Sequence, residues 1–259
     1  MQIETHLNFK KYKRFFAVGC SFTNYCWSTW ADMIGYHVDE YYNVGYPGAG
    51  NQYIASMISE IDQKYNLNEN DLVICMWSSI NREDRYKNNS WHLGGNVYSS
   101  KTLESSFVKK WADERFYLIR DLAQINLTKN LLENKNVDWD FLSMIDIGTI
   151  EGLDNQGIRF DDIKYNYEDL IEKIKPSVFS SVLGSNWNFC NKKENDNHPT
   201  PEYYLKYLKF LYPENFQNNQ LEQLVLTENI QVLMNNFEYD FTNLNKNKKV
   251  SIRKKFVHL

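Results

Sequence analysis

A serine, Ser21, follows a short apolar run and a glycine in Gly19-Cys20-Ser21-Phe22-Thr23. A hydroxyl just beyond a buried strand and ahead of a helix lies near backbone N–H groups and the positive end of that helix, which suits a nucleophile or an anion site. A plain turn with a capping serine fits the same pentad. Far along the chain, Asn195-Asp196-Asn197-His198-Pro199-Thr200-Pro201-Glu202 offers the base that such a hydroxyl needs. Pro199 holds His198 extended, and residues two apart in an extended segment point the same way, so Asp196 and His198 share a face. The carboxylate can then orient the imidazole. A polar loop with a surface histidine is the plainer reading, but the chain has only 5 His and this one stands between an Asp and a helix start.

Two more loops carry chemistry. In Asn43-Val44-Gly45-Tyr46-Pro47-Gly48-Ala49-Gly50-Asn51 the glycines let backbone N–H groups approach a ligand with no Cβ in the way, enough to cradle an oxyanion or a phosphate. It is not a dinucleotide fingerprint, whose third glycine would fall at Tyr53, nor a Walker loop, which needs Gly-Lys-Ser/Thr. A tight turn feeding a helix explains the glycines but not the run Gly50-Asn51-Gln52. In Trp77-Ser78-Ser79-Ile80-Asn81-Arg82-Glu83-Asp84, Ser79 or Asn81 can donate to an oxyanion. Arg82 reads as a surface ion pair with Glu83 or Asp84, with carboxylate binding as the alternative.

These segments need elements to hold them. Phe15 to Val18, Tyr41 to Val44, Leu72 to Trp77 and Asp140 to Ile145 read as strands, the third a continuous apolar run suited to a parallel strand buried on both faces. Trp30 to Ile34, after the cap candidates Ser28 and Thr29, starts a helix; Gln52 to Tyr65 places Ile54, Met57, Ile58 and Ile61 on one helical face. Phe107 to Leu132 reads as one long helix or two, Tyr167 to Ile174 as a helix ended by Pro176. Thr200 as N-cap and Pro201 in the first turn launch a helix from Glu202 to Leu211. The alternation βαβα with right-handed crossovers predicts an α/β fold in which helices sandwich a parallel sheet, with the ligand crevice beyond the carboxyl ends of the strands. All four chemical segments except the last follow such a strand.

Composition sets the bounds. At 259 residues, 42% hydrophobic and 24% charged with net charge −4, the chain is ordinary globular protein, which excludes collagen, coiled coil and wholesale disorder. The aromatic residues (18 Tyr, 15 Phe, 7 Trp) exceed what a small core hides, so some rings are expected in a groove or on a partner surface; Trp77, Trp91 and Trp187 fit either a sugar partner or the core. Cys20, Cys26, Cys75 and Cys190 lack metal-ligand spacing and read as reduced thiols. No apolar run of signal-peptide or membrane-span length is present, so a cytoplasmic location is expected, or a virion-associated one if the chain is phage-encoded. The stretch 243–259 holds Lys246, Lys248, Lys249, Arg253, Lys254 and Lys255, read as a solvated basic tail; at this net charge nucleic-acid binding is not inferred. Asn88 to Ser106, polar and Gly- and Ser-containing, reads as an excursion over the crevice.

Taken together, the motifs resemble the SGNH (GDSL-like) hydrolase superfamily. Gly19-Cys20-Ser21 matches its first block, with Cys20 where an aspartate is common; Asn43, Gly45 and Gly48 match its second; Asp196 and His198 match its last. Phe22-Thr23-Asn24, Trp30-Ala31-Asp32-Met33-Ile34-Gly35 and Asp196-Asn197-His198-Pro199-Thr200-Pro201 are similar to a subgroup met among phage and glycan-modification proteins. The third block departs, with Ser78, Ser79 and Ile80 where Gly-x-Asn-Asp is usual, and the acid stands two rather than three before His198, with Asn195 at the usual place. The resemblance reaches from about Phe15 to about Leu211. It implies a flavodoxin-like three-layer sandwich over residues 1–215, a C-terminal extension over 216–259, and a serine esterase or O-acyltransferase acting on a small acyl ester or an acylated glycan. Ser21 would be the nucleophile, His198 the base and Asp196 its orienting acid; the oxyanion hole would use Gly48 with Ser79 or Asn81. No metal or cofactor is implied. The alternative is a non-catalytic or weakly active binding or virion-associated module on the same fold.

Overall fold

The computed structural model of the protein describes residues 7–99, 103–149, 160–183 and 198–233. Its centre is a four-stranded, all-parallel sheet of β1 (Arg14–Val18), β2 (Glu40–Asn43), β3 (Asp71–Trp77) and β6 (Asp138–Ser143), in the order β2-β1-β3-β6. β3 is buried along its whole length, as its apolar run requires in a strand covered on both faces. Much of the aromatic content goes into this sheet. Phe15 stacks on Tyr41 and Phe16 on Tyr42, the latter at 4.8 Å between centroids, each pair facing across the β1–β2 register. Trp77 meets Phe141 edge to face at 5.3 Å. Other rings do reach solvent, among them Tyr46, Trp111, Phe116 and Tyr165.

The chain leaves β1 toward β2 through α1 (Trp30–Gly35) and then crosses to β3 on the other side of β1 through α2 (Asn51–Tyr65). Right-handed crossovers in opposite directions put α1 and α2 on opposite faces. α2 packs with α4 (Glu114–Asn134), while α1 packs with α7 (Pro201–Leu211), which in turn carries α8 (Asn219–Leu233). This is an α/β fold with helices on a parallel sheet, compatible with the expected three layers. Because the winding reverses direction between β1 and β3, the segments beyond their carboxyl ends diverge and leave a crevice between them.

Several elements differ from the sequence expectation. Residues after β3 form an antiparallel hairpin, β4 (Arg82–Lys87) and β5 (Ser90–Asn96), closed by Asn88 and Asn89 at φ 53° and 59°. Two successive left-handed residues make the twist that two-residue hairpin turns need, and Asn tolerates that conformation better than most residues. The expected excursion from Asn88 is therefore ordered strand at its start. The long helix is two, α3 (Ser105–Trp111) and α4, broken where Asp113 accepts the Phe116 N–H at 2.7 Å. The expected helix from Tyr167 to Ile174 is present as the shorter α6 (Glu168–Ile171), preceded by a separate α5 (Asp161–Tyr165), and Ile174 then makes a parallel bridge to Phe141 beside β6. Beyond residue 215, Phe216, Leu221 and Val225 join the same core. Among the described residues no helix is long and apolar enough to cross a membrane. Cys190, Trp187 and the basic tail at 243–259 lie outside the described residues.

The α7 end of the core rests on a buried acid. Asp140 of β6 accepts the Tyr212 hydroxyl at 2.8 Å, with the Lys175 ammonium at 3.7 Å, and burial pushes its carboxyl up to about 6 despite those partners. A carboxyl whose pKa is higher folded than unfolded favours folding below its unfolded value, and that contribution is lost as pH rises through about 6. Urea unfolding at pH 5 and pH 7 should therefore show Asp140→Asn lacking part of the wild-type loss of stability between the two, by about 1 kcal/mol.

Candidate active site

The turn after β1 is built on Cys20, whose carbonyl accepts the N–H groups of Thr23 and Asn24 at 3.0 and 3.2 Å. Gly19 is required by sterics: a Cβ there would lie 2.1 Å from Thr23 Oγ1 and 3.1 Å from the Met76 carbonyl of β3. Ser21 tops this turn, 8% exposed. Cys20 instead points inward, fully buried, its Sγ 4.0 Å from Met144 Sδ just past β6. The turn is tied to the loop after β2. Tyr46 N–H donates to the Gly19 carbonyl at 3.0 Å, Asn43 Nδ2 to the Thr23 carbonyl at 2.8 Å, and Asn24 Nδ2 to the Gly45 carbonyl at 2.8 Å. Asn43 and Gly45 thus hold the two loops in register, and Gly48, at φ +81°, turns the chain back toward α2. Among the described residues neither the Ser21 N–H nor the Gly48 N–H meets a backbone acceptor.

Beneath these loops lies a buried polar network that sequence reasoning mostly missed. Asp84 of β4 accepts the N–H groups of Gly50 and Tyr53, both at 2.9 Å, so it caps α2 from another element. Asn51, the first residue of α2 and fully buried, accepts the Ser78 N–H at 2.7 Å and donates to the Ser78 carbonyl at 3.1 Å and to Asp121 at 2.7 Å. Asp121 also receives Arg120 Nε at 2.7 Å, and the same guanidinium reaches Glu83 at 3.2 Å and the Arg82 carbonyl at 3.0 Å. Burial raises both the Asp84 and Asp121 carboxyls, Asp121 to about 6. The sequence signal was the Gly50-Asn51-Gln52 run that a plain turn did not explain.

Arg82 is not on the surface as expected. It is buried, donates Nη1 to the Ala49 carbonyl at 3.1 Å and brings Nη2 within 3.7 Å of Met144 Sδ, while Glu83 pairs with Arg85 and Arg120. Ser79 and Asn81 are buried at the root of the hairpin. Ser79 Oγ donates to Asn81 Oδ1 in a short bond, and Asn81 Nδ2 donates to Asn96 Oδ1 at 3.0 Å. The hairpin then folds onto the second loop, where Gly95 N–H donates to the Gly48 carbonyl at 3.2 Å.

His198 arrives from the other end of the chain. Its ring stacks on Tyr25 at 3.9 Å between centroids with 17° between planes, and lies 5.2 Å from the ring of Phe22, the neighbour of Ser21. Trp27 Nε1 donates to the Pro199 carbonyl at 2.9 Å. Pro201 opens α7 as expected, with Thr200 at the cap position; its carbonyl, not its hydroxyl, accepts the first helical N–H groups. Rings from the loop that carries Ser21 therefore hold His198 beside that loop. Asp196 lies outside the described residues. An open cleft of about 580 Å³ elsewhere, between α4 and α5–α6, is lined by Asn126, Lys129, Tyr165 and Lys173 among others and holds no serine, cysteine or histidine.

Asn51→Ala would strip Ser78 and Asp121 of a buried partner at once. Urea unfolding should show a loss of about 2–5 kcal/mol, against little change for Ser59→Ala on the exposed side of the same helix.

No family model matches this chain, and no curated protein matches it.

Proposed function

We propose that the chain is a serine hydrolase of the SGNH type, an esterase or O-acyltransferase acting on small acyl esters or acylated glycans. The observation that carries this reading is the stacking of His198 on Tyr25 and beside Phe22, which brings an imidazole to the turn that carries Ser21 beyond the end of β1. A serine hydroxyl is a weak nucleophile at neutral pH, and a neighbouring imidazole is the usual means of activating it. Ser21 Oγ attacks the ester carbonyl carbon while His198 takes its proton. The carbonyl oxygen becomes an oxyanion, held by the N–H groups of Ser21 and Gly48, with Ser79 or Asn81 as the side-chain donor. Collapse expels the alcohol, which receives the proton from His198, and leaves an acyl group on Ser21. Water or a sugar hydroxyl then attacks that ester with His198 again as base. Asp196 has the role of orienting the imidazole and stabilising its charged form.

A second reading, a binding module with little catalysis, draws on the hydrogen bonding of Ser79 and Asn81 to one another and to Asn96, which commits the third-block side chains to the hairpin root.

Incubation with p-nitrophenyl acetate and with a fluorophosphonate probe decides between them. The wild type should turn over the ester and be labelled on Ser21, and Ser21→Ala or His198→Ala should lose about 10³-fold or more in kcat. No turnover and no label above the Ser21→Ala background would sink the enzyme reading in favour of the module. Acyl transfer to added sugars outpacing hydrolysis would identify a transferase.

A further inference from the structure

α8 lies beyond every motif that points to the site, yet two successive residues of it grip the two segments that carry the proposed nucleophile and base. Glu228 is buried to 1% exposure and its Oε1 accepts the Ser28 N–H at 2.8 Å. Ser28 ends the loop that begins with Ser21 and carries Tyr25 and Trp27, and the next residue, Thr29, caps α1. Asn229, 4% exposed, accepts the Glu202 N–H at 3.3 Å through Oδ1 and donates Nδ2 to Glu202 Oε2 at 3.1 Å. Glu202 sits in the first turn of α7, four residues after His198.

The chemistry of this grip is costly. Burial pushes the Glu228 carboxyl up, the Asp32 carboxylate nearby adds to that, and Oε2 has no hydrogen-bond partner among the described residues. An apolar residue would fill the same space without desolvating a carboxylate. What an apolar residue cannot do is fix a loop N–H at a set distance from a helix.

We propose that Glu228 and Asn229 are positioning residues that set the approach of His198 to Ser21, by clamping the Ser28 end of the nucleophile loop and the first turn of α7 to one rigid helix. The inference rests on the serine-hydrolase reading for its effect on rate, but the geometry it asserts is testable without activity. The clamp acts on placement of the base, so it bears on kcat and leaves ester binding nearly untouched.

The test uses the full chain with Glu228→Ala, Glu228→Gln and Asn229→Ala. Two readouts are taken well below each variant's melting temperature: kcat and KM on p-nitrophenyl acetate, and the imidazole proton resonance of His198, assigned with His198→Asn and shifted by the face of Tyr25. Glu228→Ala and Asn229→Ala should each lower kcat by about 10- to 10²-fold, the scale of a misplaced catalytic group, with KM within about twofold, and should move the His198 resonance toward that of a free imidazole. Glu228→Gln, whose amide oxygen still accepts the Ser28 N–H, should keep kcat within about threefold and the resonance in place. An unshifted His198 resonance in both alanine variants overturns the clamp, whether or not the wild type has activity. A wild type without turnover whose alanine variants still shift the resonance overturns the hydrolase reading and leaves the clamp standing. Should Glu228→Ala fail to fold, Asn229→Ala and Glu228→Gln decide by the same readouts.

Discussion

One side-chain amide joins the three elements on which the crevice rests. Asn51 presents an acceptor to the Ser78 N–H and a donor to the Ser78 carbonyl, so it pairs with the backbone just past β3 as a neighbouring strand would. Its remaining hydrogen goes to Asp121 of α4. The sheet's hydrogen bonding is thereby extended one residue beyond its carboxyl edge, where the parallel strands themselves have diverged. Backbone groups buried at a strand end without partners are costly, and a helix whose first residue satisfies them cannot slide along the sheet. The loop before Asn51, which contains Gly48, is short, and so inherits that fixed position.

The same logic explains why so many charges are buried there. Asp84 stands where the positive end of α2 emerges, and Arg82 takes the carbonyl of Ala49 within the same loop. Asp84 and Arg82 each meet groups outside the hairpin, so the network ties hairpin, helix and loop into one unit. Such a network has little to offer stability, because desolvation offsets most of the Coulomb gain. Its return is geometric: a loop of glycines, otherwise the softest backbone available, is held by hydrogen bonds on both sides, to Asp84 at Gly50 and to the hairpin at Gly48.

What could be read from the sequence was what local physics decides. The apolar runs of β1 and β3, the 3.6-residue spacing in α2, the Gly-Cys-Ser turn and the Thr-Pro helix start each announce themselves within a few residues, and each stands close to where it was expected. The hairpin did not, because Arg82 to Lys87 is charged and only its first half is buried, and because its turn is Asn88-Asn89 in place of the more telling Asn-Gly. The burial of Arg82 is hidden in the same way: adjacent acids suggest a surface pair, and only the fold shows those acids engaged elsewhere. Tyr25, Glu228 and Asn229 carry no local signal at all. Their partners are far away in the chain, and nothing in composition or spacing distinguishes a tyrosine that stacks on a histidine from one that fills a core.

The two halves of the candidate site are therefore held by different physics. Ser21 rides on a turn fixed by its own sequence neighbours, packed onto the sheet so closely that Gly19 admits no side chain. At His198 the following Pro199 makes the segment extended, and the described partners come from other parts of the chain. Its position comes from a ring stack, one hydrogen bond from Trp27 and the seating of α7 against α1 and α8. Stacking sets the plane of a ring more tightly than its displacement within that plane, so Tyr25 alone would leave the imidazole free to slide relative to Ser21. The hydrogen bonds at Pro199, Ser28 and Glu202 restrict that slide. A fold that places Ser21 by local turn chemistry can move that residue little, whereas the reach of His198 is adjusted through the helices that seat it.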